Sequence, residues 1–182
     1  MKQMETERLI IRQFKSSDWK DLYEYLSIPQ VVFYEPYEVY TKDECVDEAK
    51  YRAQEKIINR FWAVCLKESK KMIGHVYFAQ SEPEEFRTWE IGYVFNPNFY
   101  GFGYATEACK RILQYGFEDK SAHRITAGVN VNNEPSWRLL ERMSMRREAH
   151  MLKNVFFKKT HDGEPIWNDS YQYAILSTEY KK

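Results

Sequence analysis

Tyr100-Gly101-Phe102-Gly103-Tyr104-Ala105-Thr106-Glu107-Ala108 is the stretch on which the fold turns. It follows a predicted strand, Thr88 to Phe95, and opens a predicted amphipathic helix. Two glycines at a strand-to-helix junction leave the backbone bare, so its N–H groups can close around an anion. The helix behind them adds unpaired first-turn donors and the positive end of its dipole. Such a loop suits a diphosphate. It is not a Walker A loop, because Gly103-Tyr104-Ala105 stands where Gly-Lys-Ser/Thr is required. A dinucleotide fingerprint fails as well. Thr106 occupies the third small position, Asn96-Pro97-Asn98 separates strand from glycines, and no acidic residue ends the next predicted strand, Arg124 to Val131.

The chain has 182 residues, enough for one domain with a substantial core. Lys+Arg and Asp+Glu both count 27, so the formal net charge is +0. That balance gives no support to attraction by nucleic acid or a membrane surface. Cys45, Cys65 and Cys109 are scattered, odd in number and without metal-ligand spacing, which argues against a disulfide framework or a metal centre. Cys109 falls on the apolar face of the motif helix and reads as packing. The residues from Met1 to Glu7 are polar, with no apolar run behind them, and no stretch approaches the ~20 apolar residues of a membrane span. A soluble, cytoplasmic protein is the expectation.

Periodicity places a strand at Arg8 to Phe14 and a helix at Ser17 to Leu26. Thr41-Lys42-Asp43-Glu44 is a capping box that opens a second helix, with Cys45, Val46, Ala49, Ala53 and Ile57 inward. Phe61 to Leu66, Met72 to Phe78 and Thr88 to Phe95 read as an antiparallel meander. Ala105, Ala108, Cys109, Ile112, Leu113 and Gly116 give the motif helix a narrow face of mostly small residues, fit to lie close to a sheet. Strands near Glu148 to Phe157 and Trp167 to Leu176 close a mixed α/β chain.

Tyr100 to Ala105 resembles motif A of the GCN5-related N-acetyltransferases (GNAT), Gln/Arg-x-x-Gly-x-Gly/Ala, except at its first position. Gly103 to Ala108 is similar to the extension typical of the RimJ/RimL branch. Two further segments agree in order and register. Asn133-Glu134-Pro135-Ser136-Trp137-Arg138-Leu139 resembles the family's Asn-x-x-Ser-x-x-Leu, and Trp167 to Leu176 the branch's last strand; Thr6 to Arg12 resembles its first. Where the family commonly follows the Asn133 helix with Gly-Phe, this chain has Ser144-Met145, so a different helix end is expected. The resemblance implies a single domain over residues 1–182, with a mixed, mostly antiparallel sheet of about seven strands flanked by about four helices. It further implies an acetyl-CoA-dependent transferase acting on a primary amine, a protein N-terminus or a small amine, in a ternary complex. A non-catalytic acyl-CoA-binding or regulatory module on the same scaffold is the alternative. A homodimer accords with family habit.

The resemblance also distributes roles. The loop Tyr100, Gly101, Phe102, Gly103, Tyr104 and Ala105 would hold the coenzyme's diphosphate, although Tyr100 removes one side chain from the pattern. The backbone of Tyr93, Val94 and Phe95 would pair with the pantetheine amides, and Asn133 would bond the pantetheine or acetyl carbonyl. Asn133 and Ser136 can equally be helix-capping residues. Acetyl transfer needs a neutral amine, and reference amine pKa values run from ~8 to ~10.4, so a positioned carboxylate has work at neutral pH. Glu90 is the first candidate base, against the reading of a solvated carboxylate; Ser136 is the candidate near the leaving sulfur. Asp169 is the second candidate base, although acceptor binding, with Tyr171, or plain hydrogen bonding suits it better. Tyr34 is a candidate for the acceptor, in the tyrosine-rich Val31 to Tyr40 segment whose aromatics with Glu35 and Glu38 could hold a cationic amine or equally cover the core. His75 is a weaker alternative base.

Overall fold

The computed structural model describes residues 3–181. Its centre is one eight-stranded sheet in the order β1-β2-β3-β4-β5-β6-β8-β7. The strands are β1 (Gln3–Glu5), β2 (Leu9–Gln13), β3 (Phe61–Leu66), β4 (Met72–Gln80), β5 (Thr88–Phe95), β6 (Arg124–Asn130), β7 (Arg146–Val155) and β8 (Asn168–Leu176). Every neighbouring pair is antiparallel except β5 and β6. Five α-helices flank it: α1 (Trp19–Leu26), the single turn α2 (Pro29–Val32), α3 (Lys42–Arg52), α4 (Tyr104–Gln114) and α5 (Glu134–Arg142).

Strand alternation divides the core in two. Leu9, Ile11, Trp62, Val64, Ile91 and Phe95 face one side, where Ala108, Cys109, Ile112 and Leu113 of α4 and Leu139 and Leu140 of α5 cover them. Ala63, Cys65, Met72 and Val94 face the other, under Leu22, Tyr25 and Leu26 of α1 and Cys45 and Ala49 of α3. The small face of α4 allows close approach. At its end, a Cβ on Gly116 would lie 2.6 Å from Phe78 Cζ, so only glycine fits there.

The sheet gains a strand over the sequence reading, because Gln3–Glu5 pairs with Ile10–Arg12. The first helix starts at Trp19 and not Ser17. Asp18 is drawn inward by Arg12, with both oxygens bonded at 2.8 Å, and by the Lys15 N–H at 2.8 Å, which winds residues 16–18 into a 3-10 turn. The capping box holds: Thr41 Oγ1 accepts from the Glu44 N–H, and the Glu44 carboxylate accepts from the Thr41 N–H. Helix α3 stops at Arg52, leaving Ala53 and Ile57 beyond it.

Helix α5 ends differently from expectation. Ser144 takes the left-handed conformation itself, φ +62, and the N–H groups of Ser144 and Met145 donate to the carbonyls of Glu141 and Leu140. This is the glycine-type Schellman end with serine in it. A side chain there costs ~1–2 kcal/mol, of which glycine's extra freedom in the unfolded chain returns ~0.4–1 kcal/mol. Ser144→Gly is therefore expected to stabilise the fold by about 0.5–1 kcal/mol, seen as a higher urea midpoint at unchanged slope.

Candidate active site

The one parallel pair creates the site. β5 pairs with β4 from Trp89 to Phe95, but with β6 only at Thr88, Trp89 and Glu90, opposite Arg124, Ile125 and Thr126. From Ile91 onward the two strands part, leaving a strand edge without a strand partner. Both chains then turn into helices, β5 towards α4 and β6 towards α5, so two helix N-termini stand at the open end. A cleft of ≈ 610 Å³ follows the gap, with Glu90, Gly92, Tyr93, Gly128, Asn133 and Ser136 among its walls.

At the mouth, Gly101 and Gly103 have φ +83 and +81, left-handed values that side chains resist. The Tyr100 N–H donates to Pro97 and the Glu107 N–H to Gly103; between them, the amides of residues 101–106 meet no carbonyl among the described residues. A row of free donors at a helix start is an anion cradle. Tyr100, in the position that breaks the motif, turns back so that its hydroxyl donates to the Phe95 carbonyl at 3.1 Å. The cradle is braced from outside by the first strand's approach. Arg8 donates through Nη1 to the Phe102 carbonyl at 3.0 Å and through Nε to Glu107 at 2.7 Å, and it lies over the Tyr104 ring at 4.5 Å. Thr6 Oγ1 and the Arg8 N–H donate to the other Glu107 oxygen. The Thr6–Arg8 segment thus acts on the loop, a contact across about a hundred residues that no local pattern announces.

On the second helix, Asn133 occupies the N-cap position but its side chain makes no cap bond; the carbonyl of Asn133 accepts from the Ser136 N–H at 3.1 Å. The amide is left over for the cleft that it lines. Ser136 Oγ donates to the Tyr93 hydroxyl at 3.1 Å, and that hydroxyl donates to the Ser136 carbonyl at 2.9 Å. Burial pushes the Tyr93 phenol well above its ordinary pKa, so it stays protonated.

Glu90 shares a face with Gly92 and Val94, as alternation requires, and points away from the α4 core. Its carboxylate is open to the cleft, yet the protein crowded around it raises its pKa by desolvation. His75 is buried 2.7 Å (Nδ1) from the Tyr25 hydroxyl; desolvation and then Arg52 hold it far below the usual imidazole range, hence neutral. It forms part of the wall and carries no charge to exchange near pH 7.

Tyr34 is in the cleft, its hydroxyl donating to the Asn132 carbonyl at 3.2 Å. Asp169 and Tyr171 are not. The Asp169 carboxylate accepts from the Lys153 N–H and lies 2.9 Å from His150 Nε2, pinning the bulged β7, and those bonds lower its pKa. Tyr171 stacks under Arg147 at 3.7 Å. The alternate residues Ser170 and Gln172 face the cleft instead. Glu35, named with Glu38 in the tyrosine-rich segment, lines the cleft; Asn154 and Gln172 are cleft residues that the sequence reading did not single out. Among the described residues no three His, Cys, Asp or Glu side chains come together as a metal site, the three cysteines are free and buried, and no helix is long and apolar enough to cross a membrane.

A parallel strand pair parted at its carboxyl end, with a bare amide loop following one strand and a serine-bearing helix following the other, defines an acyltransferase. Residues 8–146 match the acetyltransferase (GNAT) domain, and the chain belongs to that family of N-acetyltransferases. It is 40% identical over 178 residues to the uncharacterized N-acetyltransferase YnaD of Bacillus subtilis (strain 168), covering 96% of this chain and 97% of that one. It is similar to the crystal structure of a GNAT-family acetyltransferase from Bacillus anthracis, with TM-score 0.85, 35% identity and coverage of 98% and 100%. A spermidine N-acetyltransferase from Vibrio cholerae, solved with CoA and spermine, shares the fold at TM-score 0.77 and 22% identity, over 96% of this chain and 99% of that one.

Proposed function

We propose that this protein is a cytoplasmic, RimJ/RimL-type enzyme that moves the acetyl group of acetyl-CoA onto a primary amine by direct attack in a ternary complex. The observation that carries this reading is the parted β5–β6 pair with the unclaimed amides of residues 101–106 at its open end. Those donors fit a diphosphate, and the edge of Tyr93, Val94 and Phe95, open except at the Phe95 carbonyl that Tyr100 holds, fits the amides of an extended pantetheine arm. That a distant neighbour of the same fold was solved with CoA accords with use of that coenzyme, and the three free cysteines accord with a reducing compartment.

The thioester supplies an activated acetyl group; the chain's residues do the rest. Glu90 takes a proton from the acceptor's ammonium, which frees the nitrogen lone pair. The Asn133 amide and a main-chain N–H of β5 hold the carbonyl, where negative charge gathers during attack. As the C–S bond breaks, Ser136 Oγ turns its proton from the Tyr93 hydroxyl to the departing sulfur and takes back the surplus proton of the newly acylated nitrogen, so the serine ends as it began. Holding thioester and amine in line accounts for much of the rate.

Thiol release from acetyl-CoA, followed with a panel of small amines and N-terminal peptides and checked by mass gain on the acceptor, tests the proposal. Amine-dependent release is the expected result. Tight CoA binding without turnover on any acceptor would favour a binding module on the same fold. Absence of heat with both acetyl-CoA and CoA in calorimetry would remove the reading altogether.

A further inference from the structure

We propose that Glu35 is the specificity-determining carboxylate of the acceptor end of the cleft, pairing with the incoming ammonium and restricting acceptors to primary amines that carry no carboxylate beside the nitrogen. The inference rests on the N-acetyltransferase reading and goes one step past it, to the chemistry of the acceptor.

The segment from Val31 to Tyr40 crosses the mouth of the cleft and is tied down on both sides. Tyr34 reaches the Asn132 carbonyl at the entrance to α5. Lys158, from the β7–β8 connection, donates to the Tyr37 carbonyl at 2.8 Å and pairs with Glu38 at 2.9 Å. Glu35 lies half-buried between these tethers and lines the cleft. The groups whose charge or hydrogen bonding reaches it are Tyr37 on its own segment, Arg52 of α3, Lys158, Tyr93 of β5 and Tyr100 before α4.

Neither cation pairs with it. Arg52 Nε bonds Glu48 at 2.6 Å while its guanidinium lies over the Phe61 ring at 4.5 Å, its buried Nη1 bonding neither Glu35 nor any other group, and Lys158 is committed to Glu38 and the Tyr37 carbonyl. Among the described residues Glu35 has no ion pair. Desolvation raises its carboxyl to about 7, against the lowering effect of Tyr37, Arg52 and Lys158. A desolvated carboxylate without a counter-ion is costly to keep. With Glu48 and Arg52 cancelling, Glu35 and Glu90 leave the cleft short of a cation. Its walls include Tyr34, Tyr37, Tyr40, Phe61 and Tyr77, rings whose faces also attract an ammonium. A carboxylate next to the amine would face like charge at both glutamates.

Phenethylamine and phenylalanine, which differ by that one carboxylate, are the probes. Each is titrated calorimetrically into the CoA-bound and the free protein at pH 6 and pH 8. Phenethylamine is expected to bind at least ~30-fold more tightly than phenylalanine, and about tenfold more tightly at pH 8 than at pH 6 as Glu35 ionises. Glu35→Gln is expected to weaken phenethylamine at least ~10-fold and to flatten that pH step, with CoA affinity unchanged. Its melting temperature should be raised, more at pH 8 than at pH 6, because a carboxyl whose folded pKa is raised costs the parent stability as pH climbs from 4.5 through about 7. Glu35→Asp restores part of the step. Equal binding of the two probes, binding of neither, or an unaltered Glu35→Gln titration would overturn the proposal. Loss of CoA binding with these amine results intact would count against the transferase reading alone.

Discussion

Gly103→Asp is expected to abolish coenzyme binding while the protein stays folded. Gly103 is the N-cap of α4 at φ +81, and a Cβ there would lie 3.6 Å from Arg8 Nη2, ordinary contact. The substitution therefore meets strain but no collision. Aspartate tolerates the left-handed region better than most residues and is a favoured N-cap, so its carboxylate can turn onto the first-turn amides that the diphosphate would use. Strain of about 1 kcal/mol for aspartate in this region, less a capping gain over glycine of a few tenths, leaves the free protein less than about 1 kcal/mol destabilised. Binding is another matter. A negative charge within about 5 Å of a phosphate opposes it by ~3 kcal/mol at an effective dielectric of about 20, and the amides are already taken. The dissociation constant for CoA should rise at least ~100-fold by calorimetry, with a change in unfolding free energy below about 1 kcal/mol. Gly103→Ala, whose strain is shared by the free and bound states and which adds no charge, should lower stability by about 1 kcal/mol while binding CoA within about threefold of the parent. A Gly103→Asp variant that binds within threefold of the parent would mean that the coenzyme does not use this loop.

That loop was legible because its chemistry is local: two glycines, a preceding strand and a helix face of small residues all fall within thirty positions. The meander and the Thr41 box were readable for the same reason. What escaped the sequence depends on distance or on parity. Glu107 is the anchor of Arg8 and Thr6, residues that pattern alone presents as the start of a strand. Asp169 and Tyr171 lie in the segment that was expected, but the side chains of a strand alternate, and a shift of one residue exchanges its faces. Unbroken pairing with β6, Ser170 opposite Asn130 and Gln172 opposite Gly128, sets that register, and such a pairing carries no local sequence signal. Ser170 and Gln172 consequently point where their neighbours were placed. Glu35 belongs to a tyrosine-rich segment without periodicity; only the folded chain shows that Arg52 and Lys158, whose charges reach it, pair with Glu48 and Glu38 instead.

The division of labour between the two cleft carboxylates gives the second large effect. Glu90→Gln keeps shape and polarity but cannot accept a proton. If Glu90 takes the proton from the ammonium, kcat should fall by ~100- to 1,000-fold near pH 7, within the range for loss of a general base, while KM for acetyl-CoA is unchanged. The sign of the pH dependence follows from the direction of its shift. Desolvation raises the Glu90 pKa, so the competent carboxylate is lost as pH falls through that raised value, and the parent's kcat declines on the acid side. In the variant this limb disappears. The deficit should also shrink towards pH 9–10, where an amine of reference pKa ~8 has already lost its proton and needs no acceptor. A solvated carboxylate with no part in the chemistry would leave kcat within threefold at every pH. Glu35→Gln should act on the other parameter, raising KM for the amine with a smaller change in kcat, because it holds the cation before the reaction and not during it. A double variant whose losses multiply would assign binding and proton removal to separate groups; losses that do not multiply would place both glutamates on the same step.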